Sequence, residues 1–282
     1  MENQVEIKNM DGLEYLKTIT SNSINLVLTD PPYIISRKTG MDTLYKKVKE
    51  LEINDKDSKT EEDWDKYLEK NRETNSIKKV QENTTKLEKA KENYIKYGTI
   101  YGKKYSVKTD YGEWDSNFTI ETLELYIIQF YKKLKNGGTI IIFFDLWKIT
   151  ELKNILEKHK FKQIRLIEWI KTNPQPLNSS LNYLTNCREI ALTAVKGSKP
   201  TFNSKYDNGI YNYPLQSKNR THPTQKSLDL FENLIKKHSN ENDTILDTFL
   251  GSGTTAIACK NTSRQFKGCE LLKEYFDKIT IH

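Results

Sequence analysis

The last third of the chain alternates short apolar strands with helices, and this alternation restricts the fold more than any other feature of the sequence. An apolar strand at residues 244–247 runs into a turn that contains Gly251 and Gly253, and a helix is predicted from Thr254. The next strand ends at Glu270. Strands that alternate with helices favour a parallel α/β sheet. A glycine turn between a strand and a helix, followed by an acid at the end of the next strand, is typical of a Rossmann-type nucleoside site.

The chemistry of this turn favours a nucleoside ligand without phosphates. Glycines at 251 and 253 let the backbone approach a ligand closely, and Glu270 can accept hydrogen bonds from both hydroxyls of a ribose. A phosphate-binding P-loop is one alternative, but no lysine precedes Thr254 and the carboxylate of Asp247 would repel phosphates. A purely structural turn is the other alternative.

The same alternation extends over the rest of the chain, with one interruption. Strands are predicted at residues 5–7, 24–29, 139–144, 164–170 and 189–194, and helices at 12–19, 120–134, 150–159 and 225–237. Asn136, Gly137 and Gly138 are predicted to end the second helix. Residues 37–110 are rich in Lys, Glu, Asn and Thr, with apolar residues at helical spacing. We therefore expect a largely helical insertion at 37–110 in a core formed by residues 1–36 and 111–282.

Composition adds broad limits. The 282 residues suit one large α/β domain with an insertion, and the net charge of +7 suits an anionic partner but equally a Lys-rich soluble protein. The three cysteines and four histidines lack metal-ligand spacing, so we expect no metal and a reducing, cytoplasmic location. No run approaches the ~20 apolar residues that a membrane span requires.

The tetrapeptide Asp30-Pro31-Pro32-Tyr33, directly after the strand at 24–29, is the strongest candidate for chemistry. These residues suit the methylation of an exocyclic amine of a nucleobase. Such an amine is a poor nucleophile because its lone pair is delocalised into the ring, so it needs groups that accept its protons. Asp30 and the carbonyl of Pro31 can accept the two amino hydrogens. Consecutive prolines restrict the backbone, and Tyr33 offers a face on which a base can stack. The alternative is an ordinary turn that ends a strand.

Together these motifs resemble the amino-methylating DNA methyltransferases in their β arrangement, in which the catalytic motif precedes the cofactor motif. The resemblance covers residues 11–12, 30–33, 111–115, 169–174, 222–226 and 249–253, and the insertion has no counterpart. One departure is Ser227, where the family usually has proline. The resemblance implies a Rossmann-like methyltransferase fold that is circularly permuted, with a mostly parallel sheet and an antiparallel edge hairpin. It also implies S-adenosyl-L-methionine as cofactor and double-stranded DNA with a flipped-out base as substrate.

Each predicted site residue follows from these motifs. The catalytic residues are Asp30, Pro31, Pro32 and Tyr33. The cofactor-binding residues are Asp11, Gly12, Asp30, Lys226, Asp247, Phe249, Gly251, Ser252, Gly253, Thr254 and Glu270. The substrate contacts are Trp169, Lys171, Arg188 and Arg220, with a candidate target-recognition segment at residues 173–220. Asp11 as a helix cap, Lys226 as a solvated cation at a helix start, and Trp169 and Phe249 as core residues are the alternatives.

The predicted reaction is methyl transfer to the N6 amino group of adenine, because members of the family that modify cytosine more often carry Ser in place of Asp30. The alternatives are N4-cytosine methylation, a more distant RNA or protein amide methyltransferase, and a non-catalytic nucleic-acid-binding module. The resemblance also raises a homodimer and a cognate restriction endonuclease as partners. We interpret the insertion as a DNA-binding element, a lid or a dimer contact, and a solvated face of mixed Lys and Glu is the alternative.

Overall fold

The computed structural model describes residues 4–33, 59–74, 77–78, 81, 83–97, 100, 118–174, 187–215 and 225–279. The chain divides into two compact units. The first combines Met1–Ile34 with Gly112–His282, and the second is Ile35–Tyr111, which overlaps the insertion predicted at 37–110. Within the described ranges, every helix is too short or too polar to cross a membrane.

An eight-stranded sheet forms the centre of the first unit. Its strands are β1 (Val5–Asn9), β2 (Ile24–Thr29), β3 (Leu134–Phe144), β4 (Phe161–Lys171), β5 (Arg188–Lys196), β6 (Ile210–Tyr213), β7 (Thr244–Asp247) and β8 (Gln265–Glu270). They lie in the order β1-β8-β7-β2-β3-β5-β4-β6. Strand β5 is antiparallel to β3 and β4, and the other pairs are parallel. The mostly parallel α/β fold with antiparallel parts is thereby confirmed.

The two ends of the chain meet in this sheet. Strand β1 pairs with β8 in parallel, from Val5 opposite Phe266 to Asn9 opposite Glu270. Strand β2 lies between β7 and β3. The carboxyl ends of β2, β7 and β8 therefore lie along one edge of the sheet, where open α/β sheets bind their ligands. The predicted permutation, with the N-terminal strand beside the C-terminal one, matches this order.

Helices cover both faces of the sheet. They are α1 (Gly12–Thr18), α4 (Ile120–Lys133), α5 (Ile149–Lys158), α6 (Leu228–His238), α7 (Thr254–Asn261) and α8 (Lys273–Phe276), with α2 and α3 in the second unit. Side chains of α1, α4 and α5 share one buried cluster, and those of α6 and α7 share another. Successive residues of β3 alternate between the two clusters, with Ile140 in the first and Ile141 in the second. This two-sided burial explains the continuous apolar run in β3.

The glycines predicted to end α4 have a different function. The helix ends at Lys133, and Leu134 is already extended. Gly137 and Gly138 lie inside β3, where Gly137 has φ +81°. Strand β3 has extra residues there relative to β2, since Leu134 faces Ile24 whereas Thr139 faces Leu26. Glycine suits such a bulge because it adopts positive φ without strain.

Other predictions also need correction. No strand was predicted around Ile210–Tyr213, but this segment forms β6, which pairs with β4 and occupies the edge. The β4–β5 pair therefore does not itself form the edge hairpin. Helix α6 begins at Leu228 rather than Gln225, after Ser227 in an extended conformation.

The second unit has a small apolar cluster of its own. Helix α2 (Glu61–Asn71) begins with a capping box between Thr60 and Asp63, and α3 spans Thr84–Tyr97. The buried residues are Trp64, Ile77, Ala90 and Ile100, with Tyr67 and Tyr94 packed against them. The described part of this unit is thus largely helical.

Candidate active site

Asp30 follows β2 directly and has one occupied and one unoccupied carboxylate oxygen. Lys226 Nζ lies 2.8 Å from Oδ2. The other oxygen, Oδ1, is buried and has no hydrogen-bond partner among the described residues. Leaving a buried acceptor unpaired costs about 1–3 kcal/mol, and more when the group is charged. Such an atom is a natural acceptor for a hydrogen bond from a ligand.

Lys226 lies between two carboxylates. Besides Asp30, its ammonium contacts Oε2 of Glu189 at 2.5 Å and donates to the Tyr33 hydroxyl at 3.3 Å. Its side chain is 8% exposed, so it is not a solvated cation. Asp30 and Glu189 hold the ammonium between them, and the predicted contact of Lys226 with the cofactor stays a prediction. Lys226 precedes α6 rather than starting it.

Glu189 is a site residue that the sequence analysis missed. Its Oε1 lies 2.7 Å from Lys171 Nζ, while Oε2 binds Lys226. Lys171, predicted as a substrate contact, is therefore paired with Glu189 at the ends of β4 and β5. An acidic residue at the start of the apolar strand β5 was the available signal in the sequence.

The charges of this cluster shift one another's pKa values. Burial raises the pKa of Asp30, the ammonium of Lys226 opposes that rise, and Glu189 adds to it. Although burial disfavours its ammonium, Asp30 and Glu189 raise the pKa of Lys226 well above its ordinary value. Burial also disfavours the Glu189 carboxylate, but Lys226 and Lys171 lower the pKa of Glu189 overall. Lys226 is thus held as a cation.

The remaining residues of the tetrapeptide form one wall of the site. Pro31 and Pro32 are buried, and Tyr33 is partly exposed. The Tyr33 ring meets the Phe144 ring edge to face, with centroids 6.4 Å apart. Burial and the neighbouring Asp30 carboxylate raise the pKa of Tyr33, so its hydroxyl stays protonated.

The glycine turn has the backbone geometry of a close-approach loop. Gly251 has φ +53°, and Gly253 has φ +83° at the N-terminus of α7. The Glu270 carboxylate accepts from the Gly251 amide through Oε2 and from the Leu272 amide through Oε1, each at 2.8 Å. A carboxylate has about four acceptor positions, so capacity remains for a ligand hydroxyl. Near the same turn, the Ser252 and Thr254 hydroxyls are hydrogen-bonded to each other.

Asp247 stabilises the turn from beneath. Its Oδ1 accepts from the Thr29 hydroxyl at 2.7 Å and the Phe249 amide at 3.0 Å, and its Oδ2 accepts from the Thr255 hydroxyl at 2.6 Å. The residue is 3% exposed, and burial raises its pKa to about 6. The Asp247 carboxylate, predicted as a cofactor contact, therefore joins the end of β2 to the turn.

Asp11, Gly12 and Phe249 gather around Tyr126. Oδ1 of Asp11 accepts from the amides of Leu13 and Glu14, as the capping alternative requires. A Cβ on Gly12 would lie 2.7 Å from the Tyr126 ring, so close packing explains this glycine. The Phe249 ring packs on the Tyr126 ring with the centroids 4.7 Å apart. This contact favours the alternative that Phe249 is a core residue, at least on that face of its ring.

The predicted substrate contacts differ in exposure. Trp169 is fully buried and its indole donates to the carbonyl of Tyr213 at 2.9 Å, so it is a core residue. Arg188 has a 66% exposed side chain beside Glu168. Arg220, like residues 111–115 and 222–224, lies outside the described residues. Among the described residues, no group of His, Cys, Asp and Glu could hold a metal ion.

The catalytic and glycine motifs thus lie at one edge of the sheet, and comparison with known proteins agrees with that arrangement. Residues 24–281 match the family described as DNA methylase, whose members are the N6 and N4 methyltransferases. The chain belongs to this family. A type II methyltransferase of Lactococcus lactis subsp. cremoris, M2.LlaDCHI, is 34% identical over 189 residues, which cover 60% of this chain and 70% of that protein. The predicted family is confirmed.

Solved structures of methylases share the fold. The M1.HpyAVI–SAM complex is 26% identical, with a TM-score of 0.59 over 98% of this chain and 97% of that one. The PvuII DNA methyltransferase, described as cytosine-N4-specific, has a TM-score of 0.60 at 15% identity over 98% and 84% of the two chains. That second likeness concerns the fold alone. Fold similarity to this methylase therefore does not distinguish adenine from cytosine.

Proposed function

We propose that this chain is an S-adenosyl-L-methionine-dependent DNA methyltransferase that modifies the N6 amino group of adenine. The observation that carries the proposal is the buried, unpaired Oδ1 of Asp30 at the same edge of the sheet as the glycine turn. Membership of the DNA methylase family supports DNA as the substrate. The M1.HpyAVI structure, a complex with SAM, supports the cofactor.

The turn fits a nucleoside cofactor without phosphates. Gly251 and Gly253 bring the backbone close to the ligand, and Glu270 keeps acceptor capacity for the ribose hydroxyls. Phe249 and Asp11 lie around Tyr126 beside this turn. The cofactor supplies a methyl group on a positively charged sulfonium, which carries no phosphate for a cation to neutralise.

Asp30 is the proposed proton acceptor. Its Oδ1 accepts one hydrogen of the target amine, and the carbonyl of Pro31 accepts the other. As the nitrogen bonds to the methyl carbon, the electron pair of the breaking carbon–sulfur bond stays on sulfur, and positive charge develops on nitrogen. The Asp30 carboxylate stabilises that charge and takes the proton that the methylated amine releases. The raised pKa of Asp30 favours this transfer.

Tyr33 is the proposed stacking surface for the target base. Rotating a base out of a duplex costs on the order of a few kcal/mol, which aromatic contacts offset. The Tyr33 ring is fixed by Phe144 at one edge and by the bond from Lys226 to its hydroxyl. A fixed ring loses little conformational entropy when it stacks on a base.

Adenine is preferred over cytosine because position 30 holds Asp, which the resemblance associates with N6 methylation. The alternative is N4-cytosine methylation, which would use the same acceptors on another exocyclic amine. Exposed Arg188 is a proposed contact for the phosphate backbone. A homodimer, a cognate restriction endonuclease and a DNA-binding role for residues 37–110 stay predictions.

Replacing Asp30 tests the proposed proton acceptor. In Asp30→Ala, we expect single-turnover methyl transfer to duplex DNA to fall by about 100-fold or more, because general-base contributions are of that size. Cofactor affinity, measured by calorimetry, should change little. The matched control is Asp145→Ala, which removes the carboxylate that follows β3 and caps the next turn through the Trp147 amide. Undiminished transfer by Asp30→Ala would refute the role of Asp30.

A further inference from the structure

Four side chains of alternating charge connect β4 to the proposed proton acceptor. Lys171 contacts Glu189 at 2.7 Å, Glu189 contacts Lys226 at 2.5 Å, and Lys226 contacts Asp30 at 2.8 Å. The side chains are largely buried, with exposures from 8% to 21%. Burying charges is unfavourable unless they are paired, so this arrangement restricts where each group can lie.

The pairing determines which oxygen of Asp30 is available. Lys226 Nζ lies 2.8 Å from Oδ2, Oδ1 has no hydrogen-bond partner among the described residues, and Glu189 binds the same ammonium. Without Glu189, one buried ammonium would face one carboxylate and could move to share both of its oxygens. With Glu189 present, the charge of Lys226 is divided between two carboxylates, and Oδ1 has no partner in the part of the chain that the structure describes.

We propose that Glu189 is a positioning residue for methyl transfer, which fixes Lys226 on Oδ2 of Asp30 and limits how far Lys226 neutralises that carboxylate. The role rests on the proposed function of Asp30 as proton acceptor. Glu189 acts through Lys226, and its own carboxylate oxygens are occupied by two lysines. Lys171 in turn holds Glu189 in place from β4.

The charged groups around Asp30 predict opposite effects for two substitutions. Lys226 lies before α6, and Glu189 lies on β5. Tyr33 lies on the same loop as Asp30, and Asp247 of β7 is a further neighbouring carboxylate. Burial raises the pKa of Asp30, Lys226 lowers it, and Glu189 raises it. Loss of the Glu189 charge should therefore lower the pKa of Asp30, and loss of the Lys226 charge should raise it.

The test is the pH dependence of single-turnover methyl transfer from preformed complexes with cofactor and duplex DNA. In Glu189→Gln, the acid limb of the profile should move to lower pH by about one unit, since a nearby charge shifts a pKa by that order. In Lys226→Met, it should move to higher pH. Gln keeps the shape of Glu and an oxygen that accepts from Lys226, so the first variant should fold.

The matched control is Glu6→Gln. Glu6 also bridges two lysines of the same sheet, with Nζ of Lys8 at 3.3 Å and of Lys267 at 2.5 Å, but it lies on β1 away from Asp30. The pH–rate profile of Glu6→Gln should superimpose on that of the unaltered protein. A structural effect of losing any bridging carboxylate would alter both Gln variants in the same way.

A second measurement is independent of turnover. In protein with 13C-labelled aspartate carboxyls, with Asp30→Asn assigning the signal, the Asp30 titration should shift down in Glu189→Gln and up in Lys226→Met. Superimposable titrations and rate profiles for Glu189→Gln and an active unaltered protein would overturn the role of Glu189 alone. Absence of any transfer by the unaltered protein would overturn the proposed function, and this role with it.

Discussion

At the scale of single residues, Gly253 shows how the sequence shapes the cofactor turn. Its φ of +83° lies in the left-handed region, and a Cβ added there would lie 2.9 Å from Cγ2 of Ile279. The backbone strain and the contact with Ile279 therefore both oppose any side chain at position 253. A left-handed conformation costs a non-glycine residue about 1–2 kcal/mol.

We expect Gly253→Ala to lower the free energy of unfolding by about 1–2 kcal/mol and to weaken cofactor binding, because the turn must shift. Urea unfolding and calorimetry measure the two effects. The double variant Gly253→Ala with Ile279→Ala removes the contact but keeps the backbone strain, so it separates the two causes.

The control is Gly209→Ala, at another left-handed glycine with φ +75° beside the carbonyl of Leu166. It should lose stability without losing affinity for the cofactor. Unchanged affinity in Gly253→Ala would contradict a role for this turn in binding.

At the scale of elements, one buried carboxylate joins β2 to β7. Asp247 ends β7 and accepts from Thr29 at the end of β2, from the Phe249 amide of the turn, and from Thr255 of α7. These bonds hold the end of β2, which leads into Asp30, against the glycine turn. Burial raises the pKa of Asp247 to about 6, and the bonds from Thr255 and Thr29 oppose that rise.

We expect Thr29→Val to lower the free energy of unfolding by about 1–3 kcal/mol, since it removes a hydrogen bond to a buried carboxylate. The loss should be larger at pH 8 than at pH 5. Without Thr29, the pKa of folded Asp247 rises further above its unfolded value, so the folded variant binds more protons and becomes less stable as pH rises. Urea unfolding at both pH values measures this.

An exposed control, Thr20→Val, should change stability little. Equal losses of stability by Thr29→Val at both pH values would contradict the linkage.

Elements with strong local signals were predictable from sequence. The bounds of β2 and β7 agree with the prediction because each is an apolar run that ends in turn residues. Gly137 and Gly138 were misassigned because a glycine pair after a helix also suits a bulge, and only the pairing of β3 with β2 distinguishes the two. Glu189 was missed because its partners, Lys171 and Lys226, become neighbours only through strand pairing and helix packing.

At the scale of the whole molecule, circular permutation brings distant segments into one site. Asp30 follows β2, Glu189 lies at the start of β5, and Lys226 precedes α6, whereas the glycine turn follows β7. Because β2 and β7 are adjacent and parallel, both loops lie at the carboxyl edge. Residues 35–111 form a separate compact unit with a buried cluster around Trp64. The net charge of +7 suits a DNA substrate.

The most direct test of the proposed function is the identity of the methylated base. Purified protein is incubated with labelled S-adenosyl-L-methionine and duplex DNA of mixed sequence, and the DNA is digested to nucleosides for mass spectrometry. We expect labelled N6-methyladenine, formed about 100-fold more slowly or slower still by Asp30→Ala. Recovery of N4-methylcytosine alone would contradict the adenine assignment, and label in N6-methyladenine from Asp30→Ala at the unaltered rate would contradict the chemistry assigned to Asp30.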